Sequence, residues 1–99
     1  MYRGTTPALA FKLPFQASEL AEAWITIAQM GRSAIKRTLD ECIIDGDTLI
    51  IELSQEETLA LRSGHATEAQ IRARKTTGEA LASNIMPVDV NRILEEGVI

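Results

Sequence analysis

Apolar and polar side chains alternate along most of this chain, with the period of two that marks a strand with one buried face. Leu9, Phe11 and Leu13 share a face in Ala8–Leu13, and Pro14 ends that run because proline donates nothing to a ladder. Gln16–Leu20 reads as a short connector in which Ser18 caps one helical turn. Glu22–Met30 is the second strand, with Ala23, Ile25 and Ile27 on one face and Trp24, Thr26 and Ala28 on the other. A helix over Gln16–Met30 is the competing reading, since Glu19–Trp24 is rich in helix formers. The Ile-Thr-Ile run and the turn after it favour the strand. Gly31-Arg32 supplies a two-residue hairpin turn. Ser33–Leu39 follows, with Ile35 and Leu39 inward and Lys36 and Thr38 outward. Arg37 sits awkwardly for a buried face, and so lies at an edge or snorkels.

Asp45-Gly46-Asp47 is a turn, and Thr48–Leu53 is the clearest strand, with Leu49, Ile51 and Leu53 inward. His65–Lys75 alternates Ala69, Ile71 and Ala73 against Gln70, Arg72 and Arg74. Thr76-Thr77-Gly78 closes a hairpin onto Glu79–Val90, where Leu81, Ser83 and Ile85 share a face and Pro87 interrupts the pairing. Asn91–Ile99 reads as one helical turn with an apolar end.

One segment breaks the alternation. Ser54 followed by Glu57 is a capping box, Gly64 is placed to end the helix in a left-handed conformation, and Arg62 sits at the negative end of the dipole. Leu59 and Leu61 supply its apolar contacts. About two turns long, over residues 55–62, it is too short to stand alone and is expected to be a crossover between sheets. Six or seven short strands at even spacing, with this one helical crossover, predict an all-β sandwich forming a single domain over residues 1–99.

Composition narrows the function. Apolar residues make up 45% of the chain, enough for a packed core, but the aromatics are only Tyr2, Phe11, Phe15 and Trp24, so that core is aliphatic. A net charge of −4 disfavours nucleic acid and anionic membrane surfaces as partners. No apolar run approaches the length of a membrane span, and Met1–Pro7 has no signal-peptide core, so synthesis is expected in the cytoplasm. The single Cys42 fits a reducing compartment and, followed by Ile43-Ile44, reads as a buried structural thiol.

The sequence is poor in chemistry. His65 has no Cys, His or carboxylate at ligand spacing and reads as a solvated strand-start residue. Asp40, Glu41, Asp45 and Asp47 lack calcium-loop spacing and belong to a turn. Phosphate-loop and nucleophile-elbow patterns are missing. Arg72, Arg74 and Lys75 form a small basic stripe expected to pair with Glu on neighbouring strands. The expectation is a non-enzymatic protein with no cofactor and no metal. Two features point to interaction. Trp24, Thr26 and Ala28 with Ile50 either form an exposed apolar patch or, for Trp24, supply core bulk. Val98 and Ile99, after Ile93-Leu94, form an apolar end expected to dock on this domain or on a neighbour.

Three stretches carry a family likeness: Met1–Phe15 (Met-Tyr-Arg-Gly-Thr-Thr-Pro-x-Leu-x-Phe-x-Leu-Pro-Phe), Gln55–Leu59, and Ala80–Ile85 with Ile93–Ile99. They resemble small proteins encoded in the structural-gene regions of tailed phages and prophages of Gram-positive bacteria. The chain is also similar to the N-terminal immunoglobulin-like domain of phage baseplate upper proteins, in which a short helical crossover precedes the final hairpin. The resemblance implies an immunoglobulin-like sandwich and a structural or assembly role in the tail or baseplate region. It implies other phage structural proteins or self-association as partners, and the bacterial host cytoplasm and then the virion as location. It brings no active site. The rival expectation is a sandwich that binds carbohydrate or a host surface, for which Tyr2 and Trp24 are the available aromatics.

Overall fold

The inward aliphatic residues of the alternating runs meet between two antiparallel sheets. The computed structural model describes residues 1–99. Its strands are β1 (Ala8–Lys12), β2 (Leu20–Gln29), β3 (Arg32–Thr38), β4 (Ile43–Asp45), β5 (Thr48–Glu52), β6 (Thr67–Lys75), β7 (Ala80–Ala82) and β8 (Met86–Pro87), and its one α-helix is α1 (Gln55–Ala60). The smaller sheet has the order β1-β5-β4; the larger has the order β3-β2-β6-β7, with β8 also on β6. In the lettering of immunoglobulin sandwiches these are strands B-E-D against C′-C-F-G, and the crossover helix joins E to F. The all-β sandwich expected from the alternation is the fold observed.

Burial follows the period of two. Ala23, Ile25 and Ile27 of β2 are 2%, 1% and 0% exposed, and Leu49, Ile51 and Leu53 are 0%, 1% and 2% exposed. Across the larger sheet Ile25 stands opposite Ile71 and Ile27 opposite Ala69, so small and large side chains alternate toward the core. Phe11 and Leu13 close it from β1.

Several turns differ from expectation. The first hairpin turns at Met30-Gly31, with Gln29 opposite Arg32, one residue earlier than Gly31-Arg32. Met30 and Gly31 have φ of 51° and 74°, the pair of positive values a type I′ turn needs; β2 pairs through Gln29 because that side chain is buried and anchored. Ser18 caps nothing: Ala17–Glu19 is a 3-10 turn whose preceding residue, Gln16, makes no side-chain cap. Leu39 leaves the third strand for a second 3-10 turn, Leu39–Glu41, closed by the Thr38–Glu41 capping box.

The capping box of α1 is present: Ser54 Oγ accepts from Glu57 N–H (3.1 Å) and Glu57 Oε1 accepts from Ser54 N–H (3.0 Å). The helix stops at Ala60, however, with Leu61 in extended conformation, so Gly64 belongs to the following turn and does not terminate the helix. Arg62 does not serve the helix end either. Arg3 does, donating from Nε to the Leu61 carbonyl and from Nη2 to the Leu59 carbonyl, both at 2.6 Å.

The last strand breaks before Pro87. Ser83 Oγ accepts the Ile71 N–H (3.0 Å) while Ser83 N–H donates to the Ile71 carbonyl (2.8 Å), so a side chain fills a ladder position and Asn84–Ile85 loop out. Ile85 is consequently exposed. Pro87 returns to the sheet opposite Glu68, at an edge that needs no donor from it. β7 and β8 are thus two pieces of one strand. Asn91–Ile99 forms no helical turn; it is irregular, bending at Leu94-Glu95 and at Gly97, with Asn91 bridged in parallel to Tyr2.

Candidate functional site

The outward residues of the strands, together with the segment lying over α1, make three separate surfaces. They hold the four candidate interface residues, Trp24, Ile50, Val98 and Ile99.

Trp24 projects from the outer face of the larger sheet and is 53% exposed. It is therefore not core. Its cross-strand neighbours are Thr38 on β3 and Arg72 on β6. Shallow grooves of about 500 and 240 Å³ flank the indole, the first walled by Leu39, Asp40 and Ile44 and the second by Arg72, Arg74 and Leu81. Arg74 lies on this face and pairs with Glu22 at 3.5 Å, whereas Lys75, the next residue of the strand, points to the other face, so the three basic residues are not one stripe; Lys75 lies 3.9 Å from Glu19 and 3.7 Å from Glu79. Lys75 also stands over the Phe15 ring at 4.3 Å. Arg74 and Lys75 are thus partly neutralised from adjacent segments, but Arg72 has no ion pair, so an unpaired guanidinium sits beside the indole.

Ile50 is not part of that surface. It lies on the outer face of the smaller sheet, on the opposite side of the sandwich, opposite Ala10 on β1 and Ile43 on β4. The single patch expected from Trp24 and Ile50 is therefore two, because the strands that carry them belong to different sheets. Ile43 is 52% exposed, and Ala10–Ile50–Ile43 is an apolar row across three strands.

Val98 and Ile99 sit on the third surface. Glu96 pairs with Arg3, and the Gln55 side-chain amide bonds both backbone groups of Ile99, donating to its carbonyl (3.0 Å) and accepting from its N–H (2.8 Å). The backbone is thereby tied to α1, while Leu94, Val98 and Ile99 are 94%, 58% and 104% exposed. Ile93 alone turns in, toward Leu59 and Gly4, where an added Cβ would come within 3.1 Å of Ile93 Cδ1.

Three residues important to this arrangement carry no recognisable signal in the sequence. Arg3 lies in what reads as a polar lead-in, Gln55 in a helix start, and Gln29 at a strand end. Gln29 is 7% exposed and fully satisfied: it donates to the Arg62 carbonyl (2.7 Å) and to Thr67 Oγ1 (2.8 Å), and accepts from Arg62 N–H (2.9 Å). Each acts on a segment more than thirty residues away, which no local pattern reveals.

The remaining chemistry is quiet. Cys42 is half-buried and its thiol donates to the Thr38 carbonyl (3.3 Å); burial pushes its pKa up and keeps it a thiol. His65 is exposed in the turn before β6. No three His, Cys, Asp or Glu side chains converge as a metal-binding group, and no helix is long and apolar enough to cross a membrane.

Fold and surfaces together define an immunoglobulin-like β-sandwich that presents apolar groups on both outer faces and at one end. No family model matches the chain, and no curated protein or solved structure is significantly similar to it.

Proposed function

We propose that the domain is a non-enzymatic structural or assembly component of a tailed phage or prophage, in the tail or baseplate region, and that it works by forming protein interfaces. The observation that carries the interface reading is the Asn91–Ile99 segment. Its backbone is held by Gln55 and Arg3, yet it presents Leu94, Val98 and Ile99 to solvent. Ordering a segment while leaving its apolar side chains uncovered makes sense when another surface covers them. The virion assignment is supported by the likeness of Met1–Phe15, Gln55–Leu59, Ala80–Ile85 and Ile93–Ile99 to phage structural-region proteins. Co-purification with the products of adjacent genes tests both parts. A stable complex lost in a Val98→Asp/Ile99→Asp variant is expected. A gene with no capsid, tail or lysis genes beside it overturns the virion assignment.

A second reading is favoured by Trp24. An exposed indole on a flat sheet, flanked by grooves that contain Arg72 and Asp40, is a surface on which a sugar ring can stack and hydrogen-bond. Trp24 is the sole tryptophan, so its fluorescence reports directly on that surface. Titration with cell-wall oligosaccharides should change the emission if this reading holds. An unchanged spectrum, with the Trp24→Ala variant binding whole host cells as well as wild type, removes it.

A further inference from the structure

We infer that the free edge of β1 pairs with β1 of a second copy of this chain, joining two three-stranded sheets into one of six strands. The inference rests on the reading of the domain as an interface former, and it names one partner for that role.

The edges of the two sheets are unequal. β3 is guarded by Arg32, Lys36 and Arg37, β4 is three residues long, and the β7–β8 edge is broken at Ser83–Ile85 and carries Pro87. Charge, shortness, breaks and proline are the usual protections against strand addition. β1 has almost none. It is five residues long, and its exposed side chains are Ala8, Ala10 and Lys12. Pro7 and Pro14 bracket the open stretch without entering it.

The register shows which backbone groups are free. Leu13 N–H donates to the Asp47 carbonyl (2.7 Å) and Leu53 N–H to the Pro7 carbonyl (3.0 Å). Positions facing a given neighbour alternate in an antiparallel ladder, so Leu9 and Phe11 also bond β5. The N–H and C=O groups of Ala8, Ala10 and Lys12 point away, and nothing in the fold pairs them.

A second copy fits this edge by two-fold symmetry centred on Ala10. Ala10 exchanges both hydrogen bonds with the partner's Ala10, and Ala8 does so with the partner's Lys12, so no like charges face each other. Half-buried Leu9 then lies opposite the partner's Phe11 in the closely spaced type of pair. The apolar row Ala10–Ile50–Ile43 continues unbroken into its symmetry mate. With one open edge per chain, the assembly closes at the dimer and cannot extend into a fibre.

A five-residue strand pair is smaller than a standard interface, so association in the micromolar range or weaker is expected. Sedimentation equilibrium over a concentration series should show a monomer–dimer equilibrium. Ala10→Pro removes an N–H that β5 does not use, and should weaken dimerisation by about tenfold or more, whereas Ala10→Thr should keep it. Amide exchange on the wild type is independent of how the variants fold. The Ala8, Ala10 and Lys12 amides should gain protection as concentration rises, while those of Leu9 and Phe11 stay protected throughout. A wild type monomeric up to millimolar concentration, or those three amides protected only by a different protein, overturns the inference while leaving the proposed interface role standing. A β1 dimer that ignores every neighbouring gene product supports the inference and counts against the virion role.

Discussion

One oxygen of Glu57, Oε1, accepts both the Ser54 N–H at 3.0 Å and the Arg37 guanidinium at 2.6 Å. The same atom closes the capping box of α1 and holds the edge strand β3 to it. Arg37 also donates to the Glu52 carbonyl at 3.2 Å, so it stitches the larger sheet to the end of the smaller one. This is why an arginine is tolerated at a strand position whose pattern calls for an apolar residue. Its side chain is only 17% exposed, and its charge is met by Glu57.

Ser54→Ala removes the hydroxyl half of the box and should cost about 1 kcal/mol. Glu57→Gln keeps the shape but weakens both bonds, and should cost about 1–2 kcal/mol. Urea denaturation measures both. Partner binding should survive Ser54→Ala. Lost binding at unchanged stability would show that α1 is itself an interface.

The pair also sets an acid limit. The hydrogen bond from Arg37, helped by the Ser54 N–H, holds the Glu57 carboxyl below the usual glutamate range, and the Thr38 N–H lowers Glu41 similarly. A carboxyl with a lowered folded pKa contributes stability that is complete above its unfolded pKa, about 4.3, and is lost as pH falls through the folded value. The unfolding midpoint of wild type should therefore fall more steeply than that of Glu57→Gln as pH drops below about 5. Parallel slopes would remove Glu57 as a contributor.

Gln29 is the buried counterpart that holds the chain just after α1, at Arg62. Gln29→Leu should cost about 1–3 kcal/mol, because it strands the N–H and C=O of Arg62 without partners. Thermal unfolding gives the loss. Exchange of the Arg62 amide should quicken in the same variant.

Met30 holds a left-handed conformation that a side chain with a Cβ disfavours. Met30→Asn should raise stability by about 0.5–1 kcal/mol, since Asn-Gly is the preferred type I′ pair. An unchanged or lowered midpoint in thermal denaturation would refute this.

The two apolar faces of β2 should respond unequally to truncation. Ile27→Ala should cost about 2–5 kcal/mol and Trp24→Ala less than about 1 kcal/mol, because only the first opens a cavity. Chemical denaturation of the two variants in one buffer decides it.

Legibility in the sequence tracked the range of the interactions. The inward faces of β2, β5 and β6 were readable because side-chain direction in a strand repeats every two residues, and the capping box because its partners are three residues apart. The turn lies at Met30-Gly31, one residue before the Gly31-Arg32 that the local pattern predicts, because Gln29 is anchored to Arg62 and Thr67, far along the chain. The break at Ser83 has no local signature, because its hydroxyl answers Ile71, twelve residues away.

By itself the sequence determined the longer strands β1, β2, β3, β5 and β6, their buried faces and the single helical crossover, since these depend on local periodicity and capping; the short β4 and the division of the last strand into β7 and β8 lie outside that pattern. Tertiary structure alone decided that Trp24 and Ile50 stand on opposite faces of the sandwich, that Arg3 and Gln55 hold the chain ends to α1, and that β1 is left with an open edge. Those outcomes depend on which strands become neighbours. Neighbour choice is settled by packing two sheets around one core, and period-two alternation carries no information about it.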